Sequence, residues 1–159
     1  MPASDCPVLI SYCSDAARAL YTQGGGLCYA TAHAAGMDLR ACCTEETLCI
    51  PAGGRVLVPA GVAVQPRRAG VAGFVYSRSG LGAKQGLTVA QGVGLIDPDY
   101  TGEIFVMLLN TSGEERTLRR GERMAQLVFQ PFFRAVCTEA SALEHTERGD
   151  GGFGHTGRQ

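Results

Sequence analysis

Apolar residues in this chain come in short runs, and glycine or proline interrupts nearly every one of them. The 22 glycines and 7 prolines are spread along all 159 residues rather than gathered into a linker. No segment longer than about ten residues keeps its apolar positions at helical spacing. Short apolar runs bounded by turn residues read as strands, so the pattern predicts an all-β fold. The length suits one domain with a real core and is short for two.

Charge narrows the partners. A formal net charge of −1 and a pI near 6.3 argue against a broad basic surface for nucleic acid, so a bound polyanion must be met by a few local groups. The seven cysteines are an odd number, include the neighbours Cys42 and Cys43, and lack the CxxC or Cys/His spacing of a zinc site. They read as reduced thiols. The opening residues have neither a basic nor an apolar leader region, and no apolar run reaches membrane-spanning length. The expectation is a soluble protein of a reducing, cytoplasmic compartment, without nucleic-acid or membrane partners.

In chain order, Val8–Tyr12 is a first strand, and the stretch to Tyr21 is either strand or one short helix, ended by Gly24, Gly25 and Gly26. Asp38 lies in an apolar, strand-like context. Thr47 to Val64 reads as strands joined through turns at Pro51–Gly54 and Pro59–Gly61, with the punctuation of hairpins. Leu87–Ala90 and Gly102–Asn110 read as a hairpin around the segment between them. Both alternation phases of Ile104–Leu109 are apolar, which calls for cover on both faces by the core or by another subunit. The mixed charges of Glu114–Arg123 suggest a solvated hairpin, and Met124–Gln130 a further strand in which Gln126 needs polar partners.

Three stretches carry chemistry. Gly92-Val-Gly-Leu-Ile-Asp-Pro-Asp-Tyr100 places Asp97 at the rim of a strand, where Pro98 biases it toward extended backbone and the turn holds its carboxylate rigid and reachable. Gly73–Tyr76 is a strand that runs into Ser77-Arg-Ser-Gly-Leu-Gly82. A strand ending in Arg-Ser-Gly before a helical turn offers a guanidinium, a hydroxyl and unhindered N–H groups together, the donors a phosphate needs. The last dozen residues hold five glycines and one aromatic, Phe153. Such a tail is expected to be flexible and to order on a ligand or a neighbouring subunit.

Five segments, in order, together resemble the motifs of the trimeric dUTP pyrophosphatase family. They are Ala35-Gly-Met-Asp-Leu-Arg-Ala41, Arg78-Ser-Gly-Leu81, Gly92-Val-Gly-Leu-Ile-Asp-Pro-Asp-Tyr-Thr-Gly102, Arg120-Gly-Glu-Arg-Met-Ala-Gln-Leu127 and Arg148-Gly-Asp-Gly-Gly-Phe-Gly-His-Thr-Gly157. Each is weak alone, and five in register are specific. The resemblance implies a distorted, jelly-roll-like β-barrel with little helix over residues 1–147 and a flexible lid at 148–159. It also implies a homotrimer whose sites are shared between subunits, and Mg2+-dependent hydrolysis of dUTP to dUMP and pyrophosphate.

Carried over by residue, the resemblance makes Asp97 the acid that activates the attacking water. Arg78, Ser79, Gly80 and Gln126 hold the phosphates, while Asp38 supports the site and Mg2+ rides on the phosphate oxygens through water. Gln91, Gly94, Leu95 and Ile96 present backbone to the uracil edge, and Tyr100 lies against the deoxyribose. From the tail, Phe153 stacks on the base and Arg148, His155 and Thr156 reach the ligand. Ser77 stands where the family often has proline, a change expected only to loosen a turn. Fold alone does not separate this reaction from dCTP deamination or from a non-catalytic nucleotide binder.

Overall fold

The computed structural model describes residues 5–152. Its strands are β1 (Val8–Tyr12), β2 (Met37–Arg40), β3 (Thr47–Ile50), β4 (Arg55–Pro59), β5 (Val62–Pro66), β6 (Val71–Ser77), β7 (Leu87–Val89), β8 (Val93–Ile96), β9 (Phe105–Asn110), β10 (Arg116–Arg119) and β11 (Arg123–Pro131). Two short helices accompany them, α1 (Asp15–Thr22) and α2 (Ser79–Gln85). The strands form a four-stranded sheet in the order β2-β11-β6-β8, a three-stranded sheet β4-β9-β7, and the pairs β1-β5 and β10-β3. Every pairing is antiparallel. The expected jelly-roll-like β fold is present, although among the described residues the sheets do not close into one hydrogen-bonded barrel.

Alternation explains which side of each strand is core. In β2, Met37 and Leu39 are buried while Asp38 and Arg40 face outward. In β11, Ala125 and Leu127 point inward, and their cross-strand neighbours are Leu39, Met37 and Val75. Val106, Leu108 and Asn110 of β9 are buried as well. Its other face presents Phe105 at 47% exposure, beside Leu57 of β4 at 53%. One phase of that doubly apolar strand is therefore core, and the other is open in a single chain. No helix is long and apolar enough to cross a membrane among the described residues, and all seven cysteines are free thiols.

The stretch after β1 is the helix of the two alternatives. Ser14 caps α1 by accepting the Ala17 N–H at 3.0 Å, and Ala17 and Tyr21 are the residues it buries. The turns at Pro51–Gly54 and Pro59–Gly61 do not make hairpins. β3 pairs with β10, β4 with β9 and β5 with β1, because turn residues fix a change of direction and leave the partner to the core. Nor is Glu114–Arg123 a solvated hairpin: β10 pairs with β3, and its Leu118 is fully buried. The pairing of β7 with β9 is as expected, with the second strand starting at Phe105 rather than Gly102.

Asn110 is the one buried polar residue in the core of the described chain. Its Nδ2 donates to the carbonyls of Ile50 (2.8 Å), Pro51 (3.1 Å) and Glu114 (2.8 Å), and its Oδ1 accepts from the Ser112 N–H and hydroxyl. These bonds tie the end of β9 to two turns. Asn110→Ala should strand those carbonyls and destabilise the fold by about 3 kcal/mol. Chemical denaturation at fixed protein concentration measures this, and a loss below about 1 kcal/mol would show the network to be dispensable.

Candidate active site

Asp38 stands at the centre of one polar cluster. It projects from the outer face of β2 opposite Gln126 of β11, which in turn lies opposite Tyr76 of β6. Cross-strand partners share a face, so Asp38, Gln126 and Tyr76 form one row. Arg78 follows β6 directly and is the N-cap residue of α2, with extended backbone at φ −83° and ψ 133°. Its Nε lies 2.8 Å from Asp38 Oδ1, while Nη1 of Arg123 donates to Asp38 Oδ2 at 3.0 Å. Arg78 also donates from Nη1 to the Arg123 carbonyl at 3.0 Å.

The Asp38–Arg78 contact is ionic rather than an aligned hydrogen bond, and neither buried atom has a hydrogen-bond partner elsewhere. Each depends on the other's charge to offset its burial. Guanidinium groups carry five N–H donors, so donors remain on both arginines for a ligand. Ser79 and Gly80 are exposed at the first turn of α2, and a Cβ at Gly80 would meet nothing within 4 Å. Backbone N–H groups there are free of the helix ladder, in open space that an anion can enter.

Ser77 has more to do than loosen a turn. Its hydroxyl accepts the Val89 N–H at 2.8 Å, fastening the end of β6 to β7, which a proline ring could not do. In sequence Arg123 belongs to a mixed-charge stretch and to the fourth motif, neither of which gives it a role of its own. Its place beside Asp38 depends on a register shift in β11 between Arg123 and Ala125, and no sequence spacing announces such a bulge.

The second cluster lies on β8 and the turn after it. Asp97 is exposed, and its carbonyl accepts the Tyr100 N–H at 3.1 Å, which closes the Asp97–Tyr100 turn as expected. The Tyr100 hydroxyl donates to the Glu103 carbonyl at 2.7 Å, and the ring lies over Gly102, where a Cβ would fall 2.7 Å from the hydroxyl oxygen. Only glycine at 102 lets that ring lie flat. The Glu103 carboxylate accepts the Gly61 N–H at 2.8 Å and anchors the loop to the body. On β8, Gly94 is buried against Val75 while Leu95 is 59% exposed. Ile96 is half-buried, and Gln91 sits in the open turn before the strand with its amide near Gly94.

These two clusters do not meet in one chain. Val93 shares the row of Asp38, and Asp97 lies four residues farther along and three strands across. At standard strand rise and spacing that diagonal is roughly 20 Å. Between the clusters the same face presents Phe74, Val128 and the exposed Val93 and Leu95. Arg148 is exposed and donates from Nε to the Gly151 carbonyl at 2.9 Å, away from both clusters in the hydrogen bonds it makes. Phe153, His155 and Thr156 lie outside the described residues.

Among the described residues no three His, Cys, Asp or Glu side chains converge as a metal cage. Both Asp38 oxygens are engaged by arginines. The donor set fits a magnesium ion carried by a polyphosphate, since Mg2+ keeps several waters and takes few protein ligands. Arg78, Arg123 and Gln126 would then hold the phosphates that hold the ion.

The dUTPase family model matches residues 24–157. The deoxyuridine 5′-triphosphate nucleotidohydrolase of Desulfitobacterium hafniense (strain DSM 10664 / DCB-2) is 48% identical over 129 residues, 81% of this chain and 85% of the relative. The enzyme of the same name from Sodalis glossinidius (strain morsitans) is 44% identical over 131 residues, 82% and 86% of the two chains. Among solved structures, the Streptococcus mutans dUTPase is 32% identical with a TM-score of 0.66, covering 80% of this chain and 98% of its own. A dUTPase of Staphylococcus bacteriophage 80alpha, solved with dUpNHpp, shares the fold at a TM-score of 0.79 and 22% identity, covering 95% and 98% of the two chains. With its motifs in register, its β fold and a family match over most of its length, this chain belongs to the dUTPase family.

Proposed function

We propose that this protein hydrolyses dUTP to dUMP and pyrophosphate, which keeps uracil out of DNA and supplies dUMP for thymidylate synthesis. The observation that carries the reading is the pairing of a phosphate-suited arginine cluster with a separately held, exposed carboxylate. Arg78 and Arg123 flank Asp38, and Asp97 stands exposed at the head of a hydrogen-bonded turn, with no side-chain hydrogen bond or ion pair to the described residues. The names of the relatives point to the same substrate.

In the proposed reaction Asp97 orients a water and takes its proton as the water oxygen attacks the α-phosphorus. The bond from that phosphorus to the bridging oxygen breaks, and the electron pair leaves with pyrophosphate. Arg78, Ser79, Gly80 and Gln126 hold the phosphate chain, and Arg123 joins them through Asp38. Asp38 is a positioning residue that keeps both guanidinium groups aimed. A phage phi11 dUTPase has been described with a structural Mg(II) ion. Bound magnesium would supply charge neutralisation on the phosphates.

Uracil is selected by the hydrogen-bonding pattern of backbone around Gln91, Gly94, Leu95 and Ile96, which leaves cytosine with mispaired donors. Tyr100, fixed over Gly102, excludes a ribose 2′-hydroxyl. Arg148, Phe153, His155 and Thr156 belong to a tail, 148–159, that closes over the ligand as a lid on the 1–147 domain.

The reading requires more than one copy of the chain. Roughly 20 Å of sheet separates the two clusters, too far for one nucleotide to bridge from α-phosphate water to phosphate cluster within a protomer. A homotrimer that brings the Asp97 turn of one copy to the Asp38 cluster of another completes the site. It also covers apolar surface left open in one chain, including Leu95 at 59%, Leu57 at 53%, and Phe133, Val136 and Leu143 at 93–100% exposure.

Pyrophosphate release from dUTP, compared with dCTP, UTP and dTTP and with ammonia assayed in the dCTP sample, tests the reaction. Release from dUTP alone is expected; ammonia from dCTP would move the chain to the deaminating class. Asp97→Asn should retain dUpNHpp binding and lower kcat by about 10²- to 10⁴-fold, and wild-type turnover would remove Asp97 from its role. Tyr100→Ala should narrow the preference for dUTP over UTP, measured as the ratio of kcat/KM values; an unchanged ratio would place sugar selection elsewhere.

A further inference from the structure

Residues 12–27 hold the α1 segment, most of it ahead of the family match that begins at residue 24. The reaction as proposed gives it no task. Yet its central side chain, Tyr21, is fully buried, with its ring 5.5 Å from that of Tyr12. The Tyr21 hydroxyl donates to the Ala60 carbonyl at 2.9 Å and accepts the Arg40 N–H at 3.0 Å. Burial raises the phenol's pKa far above its usual range, so the hydroxyl keeps its proton. β2 is the edge of its sheet and is bridged on its outer side at Met37 by Tyr29, and the Arg40 N–H farther along meets no strand there. Tyr21 supplies the missing acceptor.

From Arg40 the contacts lead on to the arginine cluster. Arg40 lies opposite Arg123 at the irregularity in β11. Its guanidinium donates from Nη1 to the Gly121 carbonyl at 2.8 Å. Nη2 fills the space beside Gly24, 2.6 Å from where a Cβ would stand. The next residue completes the tie: the Ala41 N–H donates to Glu122 O at 2.9 Å, and the Gly121 N–H to Ala41 O at 2.7 Å. The turn so held, Gly121 to Arg123, delivers the guanidinium that meets Asp38 and the carbonyl that receives Arg78.

We infer that Tyr21 and Arg40 are positioning residues for the phosphate-binding half of the site, bolting the β2 edge and the Gly121–Arg123 turn so that Asp38, Arg78 and Arg123 keep their spacing. The inference rests on the reading of that cluster as the phosphate holder. Its geometric part, the link from Tyr21 to the arginines, stands or falls without substrate.

The test compares wild type with Tyr21→Phe, which keeps the ring and removes both hydrogen bonds, and with Arg40→Lys, which keeps the charge and loses the fork. Kinetics are measured well below each variant's Tm. KM for dUTP should rise about fivefold with kcat changed less than about twofold, the signature of weakened ground-state phosphate binding. A purely structural role would lower Tm and leave both constants alone, which would overturn the inference. The second readout is the pair of Arg78 and Arg123 Nε–H resonances in nitrogen-proton spectra of the ligand-free protein, assigned through Arg78→Lys and Arg123→Lys. Both should move in Tyr21→Phe; unmoved resonances overturn the link whatever the kinetics. If wild type fails to turn over dUTP, the proposed function falls, and the resonances still decide whether Tyr21 sets the cluster.

Discussion

A single carboxylate, Asp38, is shared by two guanidinium groups that reach it from sequence positions 40 and 85 residues away, Arg78 and Arg123. A buried ion pair is weak evidence of stability, because desolvation offsets much of the attraction. Its value here is geometric. Asp38 is mostly shielded, at 14% side-chain exposure, while Arg78 and Arg123 keep 23% and 47%. The carboxylate therefore anchors two cations whose outer donors still face solvent. In the proposed reaction a polyphosphate meeting them would find positive charge already oriented, with little reorganisation left to make.

The sheet on which this cluster sits explains why the rest of the proposed chemistry is absent from its side. In the order β2-β11-β6-β8, the arginine cluster occupies one corner and the Asp97 turn the opposite one. Strand rise and spacing are fixed by backbone geometry, so side-chain motion cannot close the gap. The apolar band between the corners, with Val93 and Leu95 exposed, is the kind of surface a second copy covers. Separation within the protomer and reunion between protomers would also make catalysis conditional on assembly.

The space around single glycines matters at both corners. Gly102 lets Tyr100 lie across the backbone, Gly24 makes room for Arg40, and Gly80 leaves an open approach to the first turn of α2. At Gly102 and Gly24 a methyl group would displace a side chain, whereas at Gly80 it would meet nothing within 4 Å. The glycine content that first marks the chain as strand-and-turn is thus partly spent on close approaches at the candidate site.

The β class, most strand positions, the Asp97–Tyr100 turn, the Arg78–Gly80 turn and the five motifs are legible in the residues alone. These are local properties, written in alternation, turn chemistry and residue type over a few positions. Which segments become partners emerges only in the folded chain. The Pro51–Gly54 and Pro59–Gly61 turns join strands of different pairs, Leu118 leaves an apparently solvated stretch for the core, and Arg123 reaches Asp38 through an irregular register. Strand pairing is settled by which apolar faces bury one another across long separations, and a turn's own residues carry no record of that choice. For the same reason Tyr21, an ordinary aromatic in a segment of ambiguous pattern, shows its link to Arg40 only once the chain is folded.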